Sequence, residues 1–225
     1  MLLAIDSATQ FLSLALHDGA AVRAEQTWFS QNMHTVQLAP AVRDMVQRAD
    51  LSISDLTALA VSTGPGTYTG LRIGVALAKG IAAARSLPLI GIPTLDILAS
   101  AQPHFQGGLI AIVQAGRGRI IAGTYQWRKG HWKGRGDPQL IDWETLIASI
   151  DGTAILTGEI DEMGRGAIAE AMARDIPISL APAVLRLRRA GYLAEEAWTR
   201  LREPNEGFPA ANVTPTYVRT KDIPS

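Results

Sequence analysis

The sequence predicts an α/β fold built as two lobes on the same plan. Short apolar runs of strand length alternate with longer segments that carry apolar residues at helical spacing. Each half of the chain also has the same order of elements: a strand hairpin, a helix, a strand that ends in a glycine turn, and a second helix. No sequence identity between the halves is visible, so the order of elements is the evidence for two lobes.

The first strands are predicted from short apolar runs. Residues 2–5 predict one strand, and the alternating leucines of residues 12–16 predict a second strand that is half-buried. The pair Asp18-Gly19 is typical of a hairpin turn, so residues 21–28 are predicted as the returning strand.

A helix with a proline follows the hairpin. Apolar residues from Leu38 to Ala49 fall on one helical face, and Pro40 must lie in the first turn of this helix or kink it. Thr94 is expected to cap the last helix of this half. The remaining predicted elements are strands over residues 59–61 and 89–92 and helices over residues 69–84 and 94–101.

The second half repeats this plan, with a glycine-rich turn at residues 114–118. Its predicted elements are strands over residues 109–113, 120–127 and 153–156 and helices over residues 143–150 and 164–174. Three arginines further on, Arg186, Arg188 and Arg189, are predicted to form a solvated helix face.

The domain organisation follows from these elements. The boundary between the lobes is predicted at residues 103–108, which gives an N-terminal lobe of residues 1–103 and a C-terminal lobe of residues 104–203. The proline-rich residues 204–225 are predicted to form an extended strap.

Composition excludes several classes of protein. The 225 residues are 47% hydrophobic and 19% charged, which is typical of a globular protein with a real core. Basic and acidic residues balance at 21 each, so tight nucleic-acid binding by bulk charge is disfavoured. Cysteine is absent, which excludes disulfides and thiolate chemistry. Neither a signal peptide nor a membrane span is predicted, so the cytoplasm is the expected location.

The most informative segment is G-P-G-T-Y-T-G at residues 64–70. A strand, a glycine turn and a helix together present backbone N–H groups at a helix N-terminus, where an anion or another chain can bind. The segment is not a phosphate-binding loop of the Walker type, because no Gly-Lys-Ser/Thr closes it, and its glycine spacing does not fit the dinucleotide fingerprint.

Four segments in this order resemble one family. They are L-L-A-I-D-S-A-T at residues 2–9, M-H-T-V-Q-L-A-P at 33–40, G-P-G-T-Y-T-G-L-R-I-G at 64–74 and P-T-Y-V-R at 215–219. They resemble the bacterial tRNA threonylcarbamoyladenosine biosynthesis proteins called TsaB or YeaZ, which belong to the actin-like ATPase superfamily and were formerly grouped with glycoproteases. The resemblance implies an α/β fold of two actin-like lobes, each a mixed sheet with helices.

The resemblance also implies a function without intrinsic catalysis. Such a chain holds and activates a TsaD-type transferase that modifies adenosine 37 of tRNA, together with a TsaE-type ATPase, and contacts tRNA through the complex. It is also implied to pair with itself through helices of the first lobe. One alternative is an actin-like kinase or ATPase that uses the loop at Asp6. A free-standing RNA-binding module is disfavoured by the neutral charge.

The resemblance to actin-like ATPases makes a phosphate-loop site a hypothesis. In those proteins the loop after the first strand touches the phosphates, and its Asp organises a metal-bound water. The alternative is that Asp6 only caps the turn. An ATPase also needs an acid in the second half, where Gln114 stands and the family often has Asp. No catalytic residue is therefore assigned, only weak nucleotide binding at a loop-like site of Asp6, Ser7, Thr9, Gly64 and Gly66.

A metal site is not expected. The TsaD-type relatives hold a metal with two histidines four residues apart on a helix, but the residue four after His34 is Leu38. His34 is instead expected to bond to backbone or to a partner.

The helix after the glycine turn is apolar nearly all round, which predicts that it is covered on more than one side. It lies either wholly inside the domain or against another protein, and the resemblance favours a partner. The interface is predicted to comprise His34, Leu38, Gly70, Arg72, Ile73, Gly74, Leu77, Ala78 and Ile81.

A second candidate surface is W-R-K-G-H-W-K-G-R-G at residues 127–136. Basic residues among aromatics suit contact with RNA, whereas a glycine-broken hairpin tip is also an ordinary solvated loop. The candidate RNA-facing residues are Arg128, Lys129, Lys133 and Arg135. Hydrolase motifs such as G-x-S-x-G and H-E-x-x-H are absent from the sequence.

Overall fold

The computed structural model describes residues 1–31, 33–203 and 207–218. The chain divides into two compact units. Unit 1 comprises Met1–Ile97 and Arg188–Thr216, and unit 2 comprises Leu98–Leu187 with Tyr217 and Val218 of the described tail. Each unit contains a mixed β-sheet with helices, as the family resemblance implies. None of the described helices is long and apolar enough to cross a membrane.

Unit 1 is a five-stranded sheet covered by helices on both faces. Its strands are β1 (Leu2–Asp6), β2 (Phe11–His17), β3 (Val22–Phe29), β4 (Ala58–Gly64) and β5 (Leu89–Pro93), and its helices are α1 (His34–Arg48), α2 (Tyr68–Arg85) and, from the end of the chain, α7 (Ala190–Arg202). The first half of α3 (Thr94–Ser100) also belongs to unit 1, and its residues from Leu98 onward belong to unit 2. The strand order is β3-β2-β1-β4-β5. β1 pairs antiparallel with β2 and parallel with β4.

The predicted half-burial of β2 is wrong, because both of its faces are covered. Leu12, Leu14 and Leu16 pack into a cluster with residues of α1 and α2. Ala15, on the opposite face, packs into a second cluster with α7. The small residues that alternate with the leucines therefore do not mark a solvated face, since they allow α7 to approach the sheet closely.

Pro40 lies inside α1 beyond its first turn, at an exposed position, which excludes the first of its two predicted placements, and the kink stays a prediction. Its ring removes the bond that an N–H would donate to Val36. One local expectation in unit 1 also needs correction. Thr94 is the first residue of α3, and its buried hydroxyl makes no hydrogen bond, so it does not cap the helix.

Unit 2 repeats the strand arrangement of unit 1. Its strands are β6 (Gly108–Gly116), β7 (Arg119–Arg128), β8 (His131–Gly134), β9 (Gln139–Asp142), β10 (Ala154–Gly158) and β11 (Ile178–Leu180), and its helices are α4 (Trp143–Ala148), α5 (Glu162–Ala173) and α6 (Ala183–Arg186). The strand order is β11-β10-β6-β7-β8, and β9 pairs with β7. β6 lies parallel to β10 and antiparallel to β7, just as β1 lies parallel to β4 and antiparallel to β2.

The partition of the chain differs from the predicted lobes at α7. The prediction assigned residues 104–203 to the C-terminal lobe, whereas α7 packs against β1 and β2 in unit 1. Leu193, Ala194 and Ala197 of this helix are fully buried with Leu2 and Ala4 of β1. The helix closes the sheet face that α1 and α2 leave open.

The described part of the tail runs along unit 1. The backbone N–H of Leu89 donates to the carbonyl of Phe208, and the N–H of Thr216 donates to Thr63. This segment is largely extended, with one short 3-10 turn at Ala210–Asn212. The rest of the predicted strap, residues 204–206 and 219–225 with the Arg219 of the tail motif, lies outside the described residues.

Candidate functional site: the Asp6 loop and helix α2

The loop after β1 and the glycine turn after β4 meet because these two strands are parallel neighbours. We call residues 6–9 the Asp6 loop and residues 64–67 the glycine turn. The N–H of Thr67 donates to the carbonyl of Ala8 at 2.7 Å, and the Ser7 hydroxyl donates to the carbonyl of Gly70 at 2.8 Å. The sequence-predicted loop residues are thus brought together.

Two glycines of this site allow close backbone contact. A Cβ on Gly66 would collide with the carbonyl of Ala8. Gly64 has φ of +118°, and a Cβ there would collide with the carbonyl of Thr216 in the tail. The glycine turn is therefore packed against the protein's own backbone on two sides.

A buried arginine forms an ion pair with the carboxylate of Asp6. Arg188 Nε donates to Asp6 Oδ2 at 2.8 Å, and Arg188 Nη2 donates to Thr9 Oγ1 at 2.7 Å. The exposed fractions of the Arg188 and Asp6 side chains are 2% and 1%. The predicted solvated face of arginines is therefore wrong. Arg189 pairs with Glu25, and Arg186, in unit 2, has a buried Nε atom.

The remaining polar groups of the Asp6 loop are engaged within the protein. Asp6 Oδ1 accepts the N–H of Ala8 at 3.0 Å, and the N–H of Ser7 donates to Ser62 Oγ at 3.4 Å. Asp6 and Ser7 are fully buried, and Thr9 nearly so. Asp6 therefore caps a closed turn and neutralises Arg188, and its carboxylate is not presented to a ligand.

His34 belongs to the same cluster. Its Nε2 donates to the carbonyl of Thr9 at 2.7 Å, and the residue is buried, as is Leu38 one turn later. The expected backbone bond of His34 is confirmed, and both residues are buried in the protein's own core, while their role in an interface stays a prediction. Among the described residues, no group of three or more His, Asp or Glu side chains could hold a metal ion.

Helix α2 has a packed side and an open side. Gly70, Gly74 and Ala78, predicted as interface residues, are buried, and a Cβ on Gly74 would collide with Ser7 Oγ. Gly70 and Gly74 are therefore needed for close contact with Ser7 of the Asp6 loop, and their part in an interface stays a prediction.

The open side of α2 carries different residues. We define the α2 face as Arg72, Ala76 and Gly80, which are exposed, with the half-buried Ile73 and Leu77 beside them. The Arg72 guanidinium lies over the Tyr68 ring, 4.0 Å from its centroid. A Cβ on Gly80 would meet no atom within 4 Å. Ile81, the last of the predicted interface residues, is half-buried.

Unit 2 has an acid, Glu159, beside Gln114 that is not among the sequence-predicted site residues. Gln114, at the end of β6, donates its backbone N–H to Glu159 Oε2 at 2.9 Å and its side-chain amide to the Glu159 carbonyl at 3.1 Å. Glu159 follows β10, next to the Gly158 turn, whose φ is +103°. The signal in the sequence is an acid shortly after an apolar strand, as Asp6 also is, here in the form T-G-E at residues 157–159.

The candidate RNA-facing residues lie on the β7–β8 hairpin. Arg128, Lys129, Lys133 and Arg135 are all exposed. The aromatic residues between them are not, since Trp132 is buried and Trp127 half-buried. The basic residues of this segment are therefore accessible to a ligand, whereas the aromatic residues are packed inside the protein.

Comparison with known proteins identifies relatives over most of the chain. A family model described as "TsaD: tRNA N6-adenosine threonylcarbamoyltransferase" matches residues 28–161. The tRNA threonylcarbamoyladenosine biosynthesis protein TsaB of Bacillus subtilis is 34% identical over 160 residues, which are 70% of each chain. TsaB of Escherichia coli is 35% identical over 136 residues, and that match spans 58% of the E. coli protein.

Solved structures agree with these relatives. YeaZ from Pseudomonas aeruginosa is similar with a TM-score of 0.74 and 27% identity, over 96% of this chain and 99% of that one. Component A of the (R)-2-hydroxyglutaryl-CoA dehydratase of Acidaminococcus fermentans, at 12% identity and a TM-score of 0.51, shares the fold alone. The predicted α/β fold of two actin-like lobes is confirmed.

Proposed function

The chain belongs to the TsaB family, and from this membership we propose that it is a non-catalytic subunit in the biosynthesis of threonylcarbamoyladenosine on tRNA. In this proposal it binds a TsaD-type transferase and holds it in an active state. The transferase carries out the group transfer at adenosine 37, a TsaE-type ATPase drives turnover, and tRNA is bound by the complex.

The observation that carries the non-catalytic part is the ion pair of Asp6 with Arg188. An actin-like ATPase needs a carboxylate at this position that can organise a metal-bound water near the phosphates. Here both oxygens of Asp6 accept hydrogen bonds from the protein, and the side chain is 1% exposed. Releasing it would leave a buried guanidinium without its counterion, which costs several kcal/mol.

The alternative, a small-molecule kinase or ATPase, is less well supported. It requires Asp6 to leave Arg188 and a second acid to act with it. Glu159 is the acid nearest to the predicted second loop, and its carboxylate already accepts the Gln114 N–H. We therefore expect ATP hydrolysis by the chain alone to be marginal.

The α2 face is the surface that we propose for the TsaD-type partner and, in its absence, for a second copy of the chain. Its exposed positions Ala76 and Gly80 are small, so another helix can come close, and Ile73 and Leu77 add apolar area at the edges. An exposed helix surface with so few charges is unusual for a helix that faces only water.

The test is a bulky charge at the one glycine on this face that has open space. Gly80→Arg should leave the fold intact, because nothing lies within 4 Å of the new Cβ. It should reduce the affinity for the TsaD-type partner at least tenfold, or about 1.4 kcal/mol. Sizing chromatography of the mixed proteins, with a titration to obtain Kd, measures the effect.

The matched control is Gly166→Arg on α5. Gly166 is also an exposed glycine within a helix with no atom near its Cβ position, but it lies in unit 2. This variant should bind the partner like the wild type. Full binding by Gly80→Arg, or an equal loss of binding in both variants, would refute the proposed face.

A further inference from the structure

The β7–β8 hairpin has one face that consists only of polar residues. Trp127 pairs with Trp132, Arg128 with His131, and Gln126 with Lys133. Directly paired residues share a face, and successive residues alternate between faces. The face opposite the two tryptophans, which we call the outer hairpin face, therefore consists of Gln126, Arg128, His131 and Lys133.

The two tryptophans hold this hairpin in place. Trp132 is buried, donates from Nε1 to the carbonyl of Gln102 at 3.1 Å, and packs on the Phe105 ring at 4.9 Å. Trp127 packs edge-on against Trp132, with 5.4 Å between the ring centroids, and also contacts His104. The aromatic residues are thus used for anchoring and are not available as a platform for bases.

The outer hairpin face lies in a segment poor in acidic residues. Neither Asp nor Glu occurs at residues 97–136, before Asp137, although the whole chain has a net charge of zero. Within the described part of the chain, no ion pair involves Arg128, Lys129, Lys133 or Arg135. The neutral chain therefore carries a local positive patch.

The turn of the hairpin adds a further cation. Lys129 and Gly130 are the two residues between the strands, with φ of +51° and +85°. Positive φ at both positions is typical of a type I′ turn, which favours Asn, Asp or Gly. A lysine at the first position is therefore a costly choice for the turn, and its exposed ammonium extends the patch beyond the strand ends.

We propose that the outer hairpin face and Lys129 bind the phosphate backbone of RNA. The inference rests on the proposed function, in which the RNA is the tRNA that the complex modifies. The patch supplies arginine, lysine and amide donors, which are the side chains that contact phosphates. With the tryptophans buried, binding is electrostatic and independent of base sequence, and it orients the RNA on the protein.

The outer hairpin face lacks an apolar centre, which favours RNA over an acidic protein as its ligand. Protein interfaces have an apolar or aromatic centre that excludes water around the polar contacts. The outer hairpin face has no apolar residue, and its cations Arg128 and Lys133 are exposed. Phosphate contacts need no such centre, because the release of condensed counterions supplies the binding free energy.

The test compares two variants that remove the same charge. Lys129→Asn with Lys133→Gln removes two cations and keeps the type I′ turn, since Asn accepts positive φ. The control, Arg165→Gln with Arg174→Gln, removes two exposed cations of unit 2 at α5. Binding of a labelled, unmodified tRNA transcript to the full chain is measured from about 20 to 200 mM salt, a range over which phosphate contacts change affinity strongly.

The hairpin variant should bind the transcript about 25-fold more weakly at about 0.1 M salt. The slope of the logarithm of its association constant against the logarithm of the salt concentration should be shallower by about 1.4, which is about 0.7 for each of the two lost phosphate contacts. The control should retain the wild-type slope.

Equal losses in both variants, or a wild-type chain that binds no transcript at the lowest salt, would overturn the proposal. So would a hairpin variant that keeps its RNA affinity but loses the TsaD-type partner, which would make the patch a protein contact. If Gly80→Arg does not weaken binding of the TsaD-type partner, the proposed α2 face fails but the RNA result stands, because the transcript assay contains no partner.

Discussion

The ion pair of Asp6 and Arg188 is expected to give the largest single-residue effect on stability that we can name. Arg188→Met leaves the Asp6 carboxylate buried without a countercharge, which typically costs about 3 to 5 kcal/mol. We therefore expect the free energy of unfolding to fall by that amount. Urea denaturation followed by circular dichroism measures it, with the midpoint and slope fitted separately.

Arg43→Met is the matched control for this prediction. Arg43 also pairs with an aspartate, Asp44, but its side chain is 68% exposed. Its replacement should change the free energy of unfolding by less than about 1 kcal/mol, because solvent screens the pair. If both variants lose the same amount, burial of the Asp6–Arg188 pair is not what makes it important.

At the scale of one element, α2 contains two glycines, Gly74 and Gly80, whose surroundings differ although both lie inside the same helix. Gly74→Ala should destabilise the protein by about 1 to 3 kcal/mol, because its Cβ meets Ser7 Oγ and overpacks the contact with the Asp6 loop. Gly80→Ala should stabilise it by about 0.5 to 1 kcal/mol, since alanine favours the helix and the space is open. Thermal or urea unfolding of both variants measures the two signs.

Both substitutions gain the same helix propensity, so each is the control for the other. Should Gly74→Ala be as stable as Gly80→Ala, the close packing of α2 on the Asp6 loop would be refuted. A Gly74 variant that stays fully stable but changes oligomeric state would restore the sequence-based interpretation of this row as an interface.

Elements such as α2 were predictable because their signals are local. The strand, glycine turn and helix at residues 58–85 follow from periodicity and from the residues at the turn. The side of α2 that faces outward was not predictable. Its small residues fit either a partner helix or the protein's own loop, and the choice depends on Ser7, which is 63 residues from Gly70 in the chain.

Long-range contacts explain the other differences. Arg188 was predicted to be solvated because arginines rarely lie in a core, and its partner Asp6 is 182 residues away in the sequence. The pairing of α7 with β1 is equally non-local. By contrast, the alternation of strands and helices is a local signal, so the sequence pattern predicted an α/β fold with the same order of elements in each half. The actin-like architecture came from the family resemblance.

For the whole molecule, we expect the two units to differ in their ability to fold alone. Residues 98–187 are contiguous and contain the core of unit 2, in which Ile112, Trp143 and Leu156 are buried. Residues 1–97 lack α7, so Leu2, Ala4 and Ile90 would face water. Expressed separately, residues 98–187 should unfold cooperatively in urea, and residues 1–97 should aggregate or remain partly folded.

The control is a chain that joins residues 1–97 to residues 188–216 through a short flexible linker. It restores α7 and should recover a cooperative transition. If residues 1–97 already fold cooperatively without α7, the packing of this helix is an addition to a complete unit and not a part of its core.

The late position of α7 in the chain determines the order in which the two units can complete their folding during synthesis. The ribosome adds about 5 to 20 residues per second, so roughly 5 to 25 seconds separate the synthesis of residue 97 from that of residue 216. During this interval one face of the first sheet emerges without its cover, while residues 98–187 emerge complete. The second half of the protein is therefore expected to mature before the first, and the nascent N-terminal sheet is the part that chaperones at the ribosome would have to protect.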